Sequence, residues 1–490
     1  MKKLGAAVVA VLALAGLAMA GVPLLEERIA TEIKQDIERQ GRGSVGAVEV
    51  GLFERRLMLR DVRLKGTDDV RIGRVEATGL AWPLQELLQG RTPLSGFQLG
   101  DPLQARRVEI ANFHVLAAST IAHLEALSIE GFDLERYDAG TVGDSQYELA
   151  LAARVARALS VRRLDFRGLA LKSVAGDSVS VATFSVRDAE RGLIGKLQLG
   201  DIAIASSAMK TPAFRLSDTT VGGFDLRRPL EVLASGDWAV GAPLGRAHIA
   251  NASLTGFSGE LLQQYGISLG AMTHETVAAS SKVMRSRGRI EGLVIAPPAR
   301  GGDALQLRLA MAAMDLNEIK LGLECGGVED REKGELVVDR CVLTGTDLGE
   351  VGLTARVAGA DETFWRLIDG EDSSDIESTT AAFVSATLSL ADKGLLERLL
   401  KGAAIASGQE FRMMRAALAE EVRRFQPSNI LITENLTKLL DIVASFIERG
   451  GTLTIEAKPD QPLGIDKLGY LQSPGPDLVG VLGLSAKLTR

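Results

Sequence analysis

The sequence has few aromatic residues and no excess of positive charge. Phe, Trp and Tyr together make up 4% of the 490 residues, which argues against a surface that stacks on sugars or bases. The formal net charge is -7 at pH 7, whereas general nucleic-acid binding needs a basic surface. We therefore expect no nucleic-acid partner.

The motifs of common enzyme and cofactor sites are missing as well. The chain has no P-loop, no dinucleotide-binding glycine motif, no H-E-x-x-H and no G-x-S-x-G. Its four histidines are scattered, which predicts structural or exposed side chains and no metal site. Ser207 and Lys210 have the S-x-x-K spacing, but the partner motifs of such enzymes are absent. We expect no catalytic residues and no cofactor, and interpret the protein as a non-enzyme.

The chain has only two cysteines, Cys325 and Cys341, which is too few for a zinc site. In an oxidising compartment they could form a disulfide worth about 3 kcal/mol. The residues between them indicate a hairpin, and a tight turn centred on residues 329–334 would place Cys325 opposite Val338. A disulfide therefore requires a bulge or a longer loop, and two free buried thiols are the alternative.

The amino terminus contains the longest apolar run. Lys2 and Lys3 precede an uncharged segment from Leu4 to Leu25, which is long enough to cross a bilayer with the following chain exported. We expect residues 1–25 to form a transmembrane anchor, although an A-x-A site ending at Ala20 would also suit a cleaved signal peptide. The next residues predict an amphipathic helix over 26–42, lying on a surface or packed on the first strands, because Leu25, Ile29, Ile33 and Ile37 follow one another at i, i+4 steps.

Eight-residue segments with apolar side chains at positions one, three, six and eight recur along the chain. The clearest is LSIEGFDL at 127–134. Others occur at 57–64, 70–77, 108–115, 164–171, 197–204 and 336–343, with weaker copies at 247–254 and 288–295. An unbroken strand would keep its apolar residues two apart, and a helix would give these positions no common stripe.

The central pair of every copy contains Gly, Asn or Asp, which tolerate the backbone of a bulge or bend. A bulge adds one residue and so returns both halves of the segment to one face. The repeats therefore predict bent strands with a single apolar face. Separate short strands joined by tight turns remain the alternative.

These patterns divide the chain into a β-rich groove domain at 43–295, a linker at 296–303 and a second β-rich region at 304–391. Three amphipathic stripes predict a helical insert at 392–450, with Thr433 capping the start of the third helix and Gly450 its end. Residues 451–490 form a strand and a proline-rich tail. A short helix is expected from Pro83 to Gly90, and a related one near Pro229.

The fold class is thus mainly β with a helical insert. In it, an elongated, strongly twisted and bulged antiparallel sheet forms a groove behind an amino-terminal transmembrane helix. Eight apolar side chains are the foremost candidates to line the groove: Leu127, Ile129, Phe132, Leu134, Leu164, Phe166, Leu169 and Leu171. A charge at Phe166 should abolish the binding of an apolar ligand if the groove is open, and should unfold the domain if the groove is a core.

The segments GSVGAVEVGLF, LMLRDVRLKG, VRIGRVEATGLAW, PLQELLQG and TPLSGFQLGDP, behind an apolar anchor, resemble the opening of AsmA-like proteins over residues 1–115. These are envelope proteins of Gram-negative bacteria, related to bridge-like lipid transfer proteins. The resemblance implies a single-pass inner-membrane anchor, a periplasmic β groove and a role in lipid transport or outer-membrane homeostasis. It also implies lipid partners, of the phospholipid class, and partners among envelope proteins.

The helical insert lies outside that resemblance. Its three apolar stripes could close the groove, because a bent strand face can be covered by the protein's own helices as well as by acyl chains. The alternative function is therefore a periplasmic scaffold with a filled core, which assists envelope assembly through protein contacts.

Overall fold

A computed structural model describes residues 22–39, 43–64, 69–81, 98–117, 119–140, 147–208, 211–236, 247–280, 282–298, 304–370, 378–426, 431–468 and 477–489. The protein is mainly β, as predicted. By contacts the chain separates into two compact units: Met1–Pro212 with Thr220–Val240, and Ala213–Thr219 with Gly241–Arg490. This division falls within one strand. The linker expected at 296–303 lies mostly outside the described residues.

The first unit contains an open antiparallel sheet in which strands β2 to β9 pair in chain order and β1 also pairs with β3. Successive strands follow one another as hairpins and meanders, the simplest antiparallel connection. The strands are β1 Gly43–Ser44, β2 Ala47–Gly51, β3 Arg56–Leu64, β4 Asp69–Thr78, β5 Leu103–Leu116, β6 Thr120–Leu134, β7 Leu159–Ser173, β8 Ser178–Glu190 and β9 Leu193–Ala205.

Three helices accompany this sheet: α1 over residues 22–39, α2 Tyr147–Ala158 and α3 Arg227–Ser235. Helix α1 packs on the first strands, because Ile29 and Ile33 are buried against Val50 and Leu57. Helices α2 and α3 pack on each other, and α3 ends at Gly236 in a left-handed conformation. The expected helix at Pro83 to Gly90 lies outside the described residues.

The expected transmembrane segment falls mostly on residues 1–21, which also lie outside the described part of the chain. Within the described ranges, no helix combines the length and apolarity needed to cross a bilayer.

The second unit contains another run of antiparallel strands, in which β11 to β18 pair in chain order, β18 pairs with β20 and β17 also pairs with β19. Strand β10, Phe214–Asp225, has residues in both units. The others are β11 His248–Ser258, β12 Ile267–Ser280, β13 Val283–Ile295, β14 Ile319–Asp330, β15 Glu335–Gly345, β16 Gly349–Ala358, β17 Ala382–Asp392, β18 Thr452–Ala457, β19 Leu463–Gly464 and β20 Leu484–Thr489.

Three long helices occupy most of the stretch expected to be a helical insert. The helices of this unit are α4 Glu260–Gln264, α5 Leu305–Ala313, α6 Glu362–Ile368, α7 Leu395–Ser407, α8 Phe411–Arg423, α9 Glu434–Arg449, α10 Ile465–Leu468 and α11 Leu478–Val481. The cap predicted for α9 is confirmed, because Thr433 Oγ1 accepts a hydrogen bond from Leu436 N at 3.3 Å and Gly450 follows the last turn. Helix α9 packs on α8 and on strands β18 and β20.

Most of the eight-residue repeats are long strands with one left-handed residue near the middle. In LSIEGFDL this residue is Gly131, with φ of 65°, and in three other copies it is Asn112, Gly168 or Asp201. Asp61 and Gly292 behave in the same way. Left-handed φ is accessible chiefly to Gly, Asn and Asp, so the central pairs of the repeats are explained. The alternation skips a step because the backbone bends there.

In the first unit the bends are shared between neighbouring strands. The pairs Ala111–Ala126 and Phe113–Leu124 lie on either side of Asn112 and keep the same register. The partner strand therefore changes face at the same level, and no residue is inserted. Our expectation of one extra residue in the bent strand is wrong here.

Two rows of bends cross the sheet of the first unit. One row has its left-handed residues on alternate strands, at Asp61, Asn112, Gly168 and Asp201 of β3, β5, β7 and β9. The second row uses the intervening strands, at Gly131 of β6 and Asp188 of β8. Three repeats deviate. Gly73 has no left-handed φ but lies opposite Asn112, the copy at 247–254 has its left-handed residue after its end, at Gly256, and the copy at 336–343 has none.

The second unit does contain bulges of the expected kind. In the repeat at 336–343, Val338 pairs with Ala355 and Cys341 with Leu353, so two residues of β15 oppose one of β16. The same bulge shifts β15 against β14. Together with a four-residue turn at 331–334, it places Cys341 directly opposite Cys325, and the two Sγ atoms are bonded.

Candidate functional site

On either side of the rows of bends, apolar residues lie directly opposite one another from strand to strand across the sheet of the first unit. We call each such line of paired apolar residues a rung. Directly paired residues of neighbouring antiparallel strands have their side chains on the same face. One rung crosses eight strands: Val48, Leu59, Val75, Ile110, Leu127, Phe166, Phe184 and Leu199. A second rung lies on the other side of the row of bends that contains Asn112. It crosses seven strands, through Val62, Ile72, Phe113, Leu124, Leu169, Val181 and Ile202.

Contacts with helix α1 show that a bend keeps the apolar residues on one face. Val108 is paired with Ile129, which precedes the bend at Gly131, whereas Phe132 follows it. Both Val108 and Phe132 pack against the cluster that contains Ile29. Ile129 and Phe132 therefore face the same side, as the repeat pattern predicted.

The eight predicted lining residues lie on two neighbouring strands, β6 and β7. Leu127 lies opposite Phe166 and Ile129 opposite Leu164, forming two central rungs. The remaining four divide between the ends. Phe132 and Leu134 lie opposite Ala105 and Leu103 of β5, and Leu169 and Leu171 lie opposite Leu124 and Ala122 of β6.

Burial differs along this face. Phe132 packs in the cluster beneath helix α1, and Leu134 is buried. The central residues Leu127, Leu164 and Phe166 are only half-buried, and Leu171 is 37% exposed. Phe166 stacks on Phe184 with ring centroids 4.6 Å apart, so aromatic contact within the sheet supplies part of its cover. One end of the face is thus closed by a helix and the rest is partly open.

The opposite face of the same strands is charged. Arg74 Nη2 donates to Glu109 Oε2 at 2.9 Å, and Arg107 Nη2 lies 2.6 Å from Glu109 Oε1. Arg163 pairs with Asp165, and Arg187 lies 3.8 Å from the same carboxylate. The sheet is therefore amphipathic, with its ion pairs in solvent and its aliphatic rungs on the other side.

The second unit contains an apolar cavity of about 260 Å³ between its sheet and helices α7 and α9. The walls are almost entirely aliphatic: Leu321, Leu343, Leu348, Val351, Leu390, Leu395, Leu396 and Leu399, with Phe446. The cavity exists because two neighbouring glycines supply no side chains there: Gly345 lies opposite Leu321, and Gly349 lies opposite Gly345. The sequence analysis missed it, although two glycines between apolar strand residues were a visible signal.

Among the described residues, the other candidates from the sequence form no catalytic arrangement. Ser207 N donates to Asp177 Oδ1 at 3.0 Å, while Lys210 lies outside the described residues. No group of three or more potential metal-ligating side chains occurs among the residues with a described position. His114 and His123, which we took as scattered, lie directly opposite each other on β5 and β6.

Comparison with known proteins adds one match. A family model described only as an uncharacterized protein matches residues 342–489, from strand β15 to the last strand. No curated protein matches the chain.

Proposed function

We propose that the protein binds the acyl chains of membrane lipids on the apolar face of the first unit's sheet. The observation that carries this proposal is the set of apolar rungs that cross up to eight strands, because most of their side chains are only half-buried. Each CH₂ group that leaves water for such a face contributes about 0.8 kcal/mol. Bound acyl chains would cover the part of this face that helix α1 leaves exposed.

The resemblance of residues 1–115 to AsmA-like proteins gives this binding a setting. We infer a protein anchored in the bacterial inner membrane by residues 1–25, with its bulk in the periplasm, that binds or transports phospholipid for outer-membrane homeostasis. Cell fractionation tests the anchor. The full chain should remain with membranes after a high-salt wash, and recovery of the intact chain in the soluble periplasmic fraction would contradict the proposal.

The lipid-binding test uses the purified full chain and the Phe166→Asp variant. Native mass spectrometry and lipid extraction should find co-purifying phospholipid with the wild type and little with the variant, because a carboxylate on the face disfavours hydrocarbon. The matched control is Arg167→Glu, one residue away on the charged face, which should keep its lipid. Circular dichroism and thermal unfolding check that each variant folds.

Two results would refute lipid binding at this face. The first is a wild-type protein that carries no phospholipid and takes none up from vesicles. The second is a Phe166→Asp protein that unfolds while Arg167→Glu does not, because Phe166 would then belong to a filled core.

The second unit favours the alternative of a scaffold with a filled core. There, helix α9 covers strands β18 and β20, and a cavity of about 260 Å³ remains beside helices α7 and α9. Helices α7 and α8 also present Ile405 and Met413, each about two-thirds exposed, as surfaces for protein contacts. If scaffolding dominates, Ile405→Asp with Met413→Asp should remove co-purifying envelope proteins and leave the lipid content unchanged.

A further inference from the structure

His114 and His123 form a cross-strand pair on the charged face of the first unit's sheet. Their neighbours Phe113 and Leu124 occupy an apolar rung, so the two imidazoles project from the other side. The Nδ1 atoms are 3.2 Å apart and the ring centroids 4.2 Å apart. His114 is exposed and His123 is half-buried, so each imidazole ring can rotate about its Cβ–Cγ bond.

We propose that these two histidines chelate a divalent late transition-metal ion through their Nδ1 atoms. Two imidazole nitrogens bound to one zinc ion at about 2.0 to 2.1 Å in tetrahedral geometry lie roughly 3.3 to 3.4 Å apart. The observed separation of 3.2 Å already approaches that value. A rotation of the stacked rings would direct both lone pairs to one ion, and water would complete the coordination.

The surroundings leave room for a metal and its water ligands on one side of the pair. Across the sheet from His123 the same level is occupied by Ala170 and then Ser180, both small. On the other side Arg71 lies opposite His114, but its guanidinium is engaged by Asp69, with Nε 2.9 Å from Oδ2.

The charges around the pair determine which ions can bind. Arg63 lies opposite Arg71, and Lys172 lies opposite Ile121 on the same face as His123, so three cations face the site. Two carboxylates also belong to these strands, Asp69 two residues from Arg71 and Glu125 two residues from His123. Electrostatic attraction does not concentrate cations here, and hard ions that prefer oxygen ligands gain nothing from imidazole. The pair should therefore bind Zn²⁺, Ni²⁺ or Cu²⁺ and not Mg²⁺ or Ca²⁺.

The test titrates ZnCl₂ and, separately, MgCl₂ into the full chain at pH 7.5 and measures binding by calorimetry and thermal unfolding. Saturating Zn²⁺ should raise the unfolding temperature by about 2 °C or more, because it binds the native hairpin and not the unfolded chain. His114→Ala and His123→Ala should each weaken Zn²⁺ binding at least about tenfold, since one imidazole remains. His248→Ala, which removes an exposed histidine of the second unit, should bind as the wild type does.

Lowering the pH should abolish the Zn²⁺ effect, because protons compete for the same nitrogens. The proposal fails if the wild type shows no Zn²⁺-dependent shift, or if the two histidine variants bind Zn²⁺ as tightly as the wild type does. It also fails if Mg²⁺ produces the same shift, because that would indicate nonspecific stabilisation. Circular dichroism of both variants shows that a lost effect reflects a lost ligand and not a lost fold.

Discussion

Single residues with left-handed backbone determine where the strands of the first unit bend. Asn112 is representative, with φ of 55° in the middle of strand β5. An L-residue in this region costs roughly 1 to 2 kcal/mol, and Asn, Asp and Gly are the residues that reduce the cost. The bends therefore depend on a few side chains and not on strand length.

Substitutions at Asn112 should separate backbone strain from side-chain contacts. Asn112→Gly should leave the free energy of unfolding nearly unchanged, whereas Asn112→Val should lower it by about 1 to 2 kcal/mol, since a β-branched side chain is strained at positive φ. Urea unfolding of the three proteins measures the difference. Equal stability of the Gly and Val variants would contradict a left-handed bend at this position.

Asp361 shows a second residue-scale effect, at the start of helix α6. Its Oδ1 accepts hydrogen bonds from Phe364 N at 3.0 Å and Thr379 Oγ1 at 2.7 Å, and its Oδ2 accepts one from Thr380 N at 2.9 Å. Burial alone would raise the pKa of this carboxyl, but the hydrogen bonds outweigh it and lower the pKa from 3.8 to about 2. The ionised form is thus the one that the fold stabilises.

The pH dependence of stability follows from the direction of that shift. Because the folded-state pKa is depressed, the contribution of Asp361 is fully present above about pH 4 and is lost as the pH falls towards 2. Asp361→Ala should cost about 1 to 2 kcal/mol at pH 7 and less at pH 2.5. Ile33→Ala, which removes neither a titratable group nor a hydrogen bond, should cost about 2 to 4 kcal/mol at both pH values. Urea unfolding at pH 7 and 2.5 compares the two, and a pH-independent effect at Asp361 would refute this account.

Helix α1 illustrates packing at the level of an element. Its apolar stripe of Leu25, Ile29, Ile33 and Ile37 contacts the first strands, and Ile33 is 1% exposed. The i, i+4 spacing predicted this stripe, and the structure places it on the sheet, which was the second of the two positions that the sequence left open. The helix therefore closes one end of the apolar face.

Truncation of this stripe tests whether the helix is part of the folded unit. Ile33→Ala should lower the free energy of unfolding by about 2 to 4 kcal/mol, because it leaves a cavity between helix and sheet. Leu24→Ala is the matched control in the same helix, since Leu24 is 71% exposed, and it should cost less than about 0.5 kcal/mol. Equal effects of the two substitutions would mean that α1 is not docked in solution.

The hairpin of strands β14 and β15 depends on a bulge and a bond together. The bulge near Asp339 brings Cys341 opposite Cys325, and the bond closes a loop with a sequence separation of 16 residues. Replacing both cysteines by serine should therefore cost about 3 kcal/mol. Unfolding of the oxidised wild type, the reduced wild type and the double variant measures this, and the last two should agree within about 1 kcal/mol.

The bends within strands and the helix cap could be predicted from the sequence, whereas the alignment of neighbouring strands could not. The positions of Asn112, Gly131, Gly168 and Asp201 followed from an apolar pattern within one strand, and the cap at Thr433 followed from local chemistry. The alignment of bends into rows could not be predicted, because it depends on which residue of a neighbouring strand lies opposite. Asp188 was missed because its strand ends two residues later, before the second half of the pattern is complete.

At the scale of the whole molecule, the two units differ in how far helices cover the apolar side of their sheets. In the first unit helix α1 covers one end of that side and leaves most side chains of the rungs through Leu127 and Leu169 half-buried. In the second unit helix α9 lies on the last strands and a cavity of about 260 Å³ remains beside it. The sequence predicted the apolar face and the covering helices, but not which part of the chain each would cover.

This difference predicts that the native protein binds hydrophobic probes chiefly through its first unit. After lipid removal, the folded wild type should enhance the fluorescence of a dye such as anilinonaphthalene sulfonate, and phospholipid vesicles should compete the dye away. Phe166→Asp should reduce the enhancement by at least about half, whereas Val351→Phe, which fills the cavity of the second unit, should leave most of it. The reverse ranking would place the exposed apolar surface in the second unit.

The two rows of bends restrict how such a sheet can change during evolution. Within a row, left-handed residues on alternate strands stay level with their neighbours, so deleting one residue from the middle of a strand would move its remaining half out of phase with both adjoining strands. Adding or losing a complete hairpin leaves every row intact. We expect relatives to differ in length by whole pairs of strands, and variation within strands to be confined to the hairpin tips.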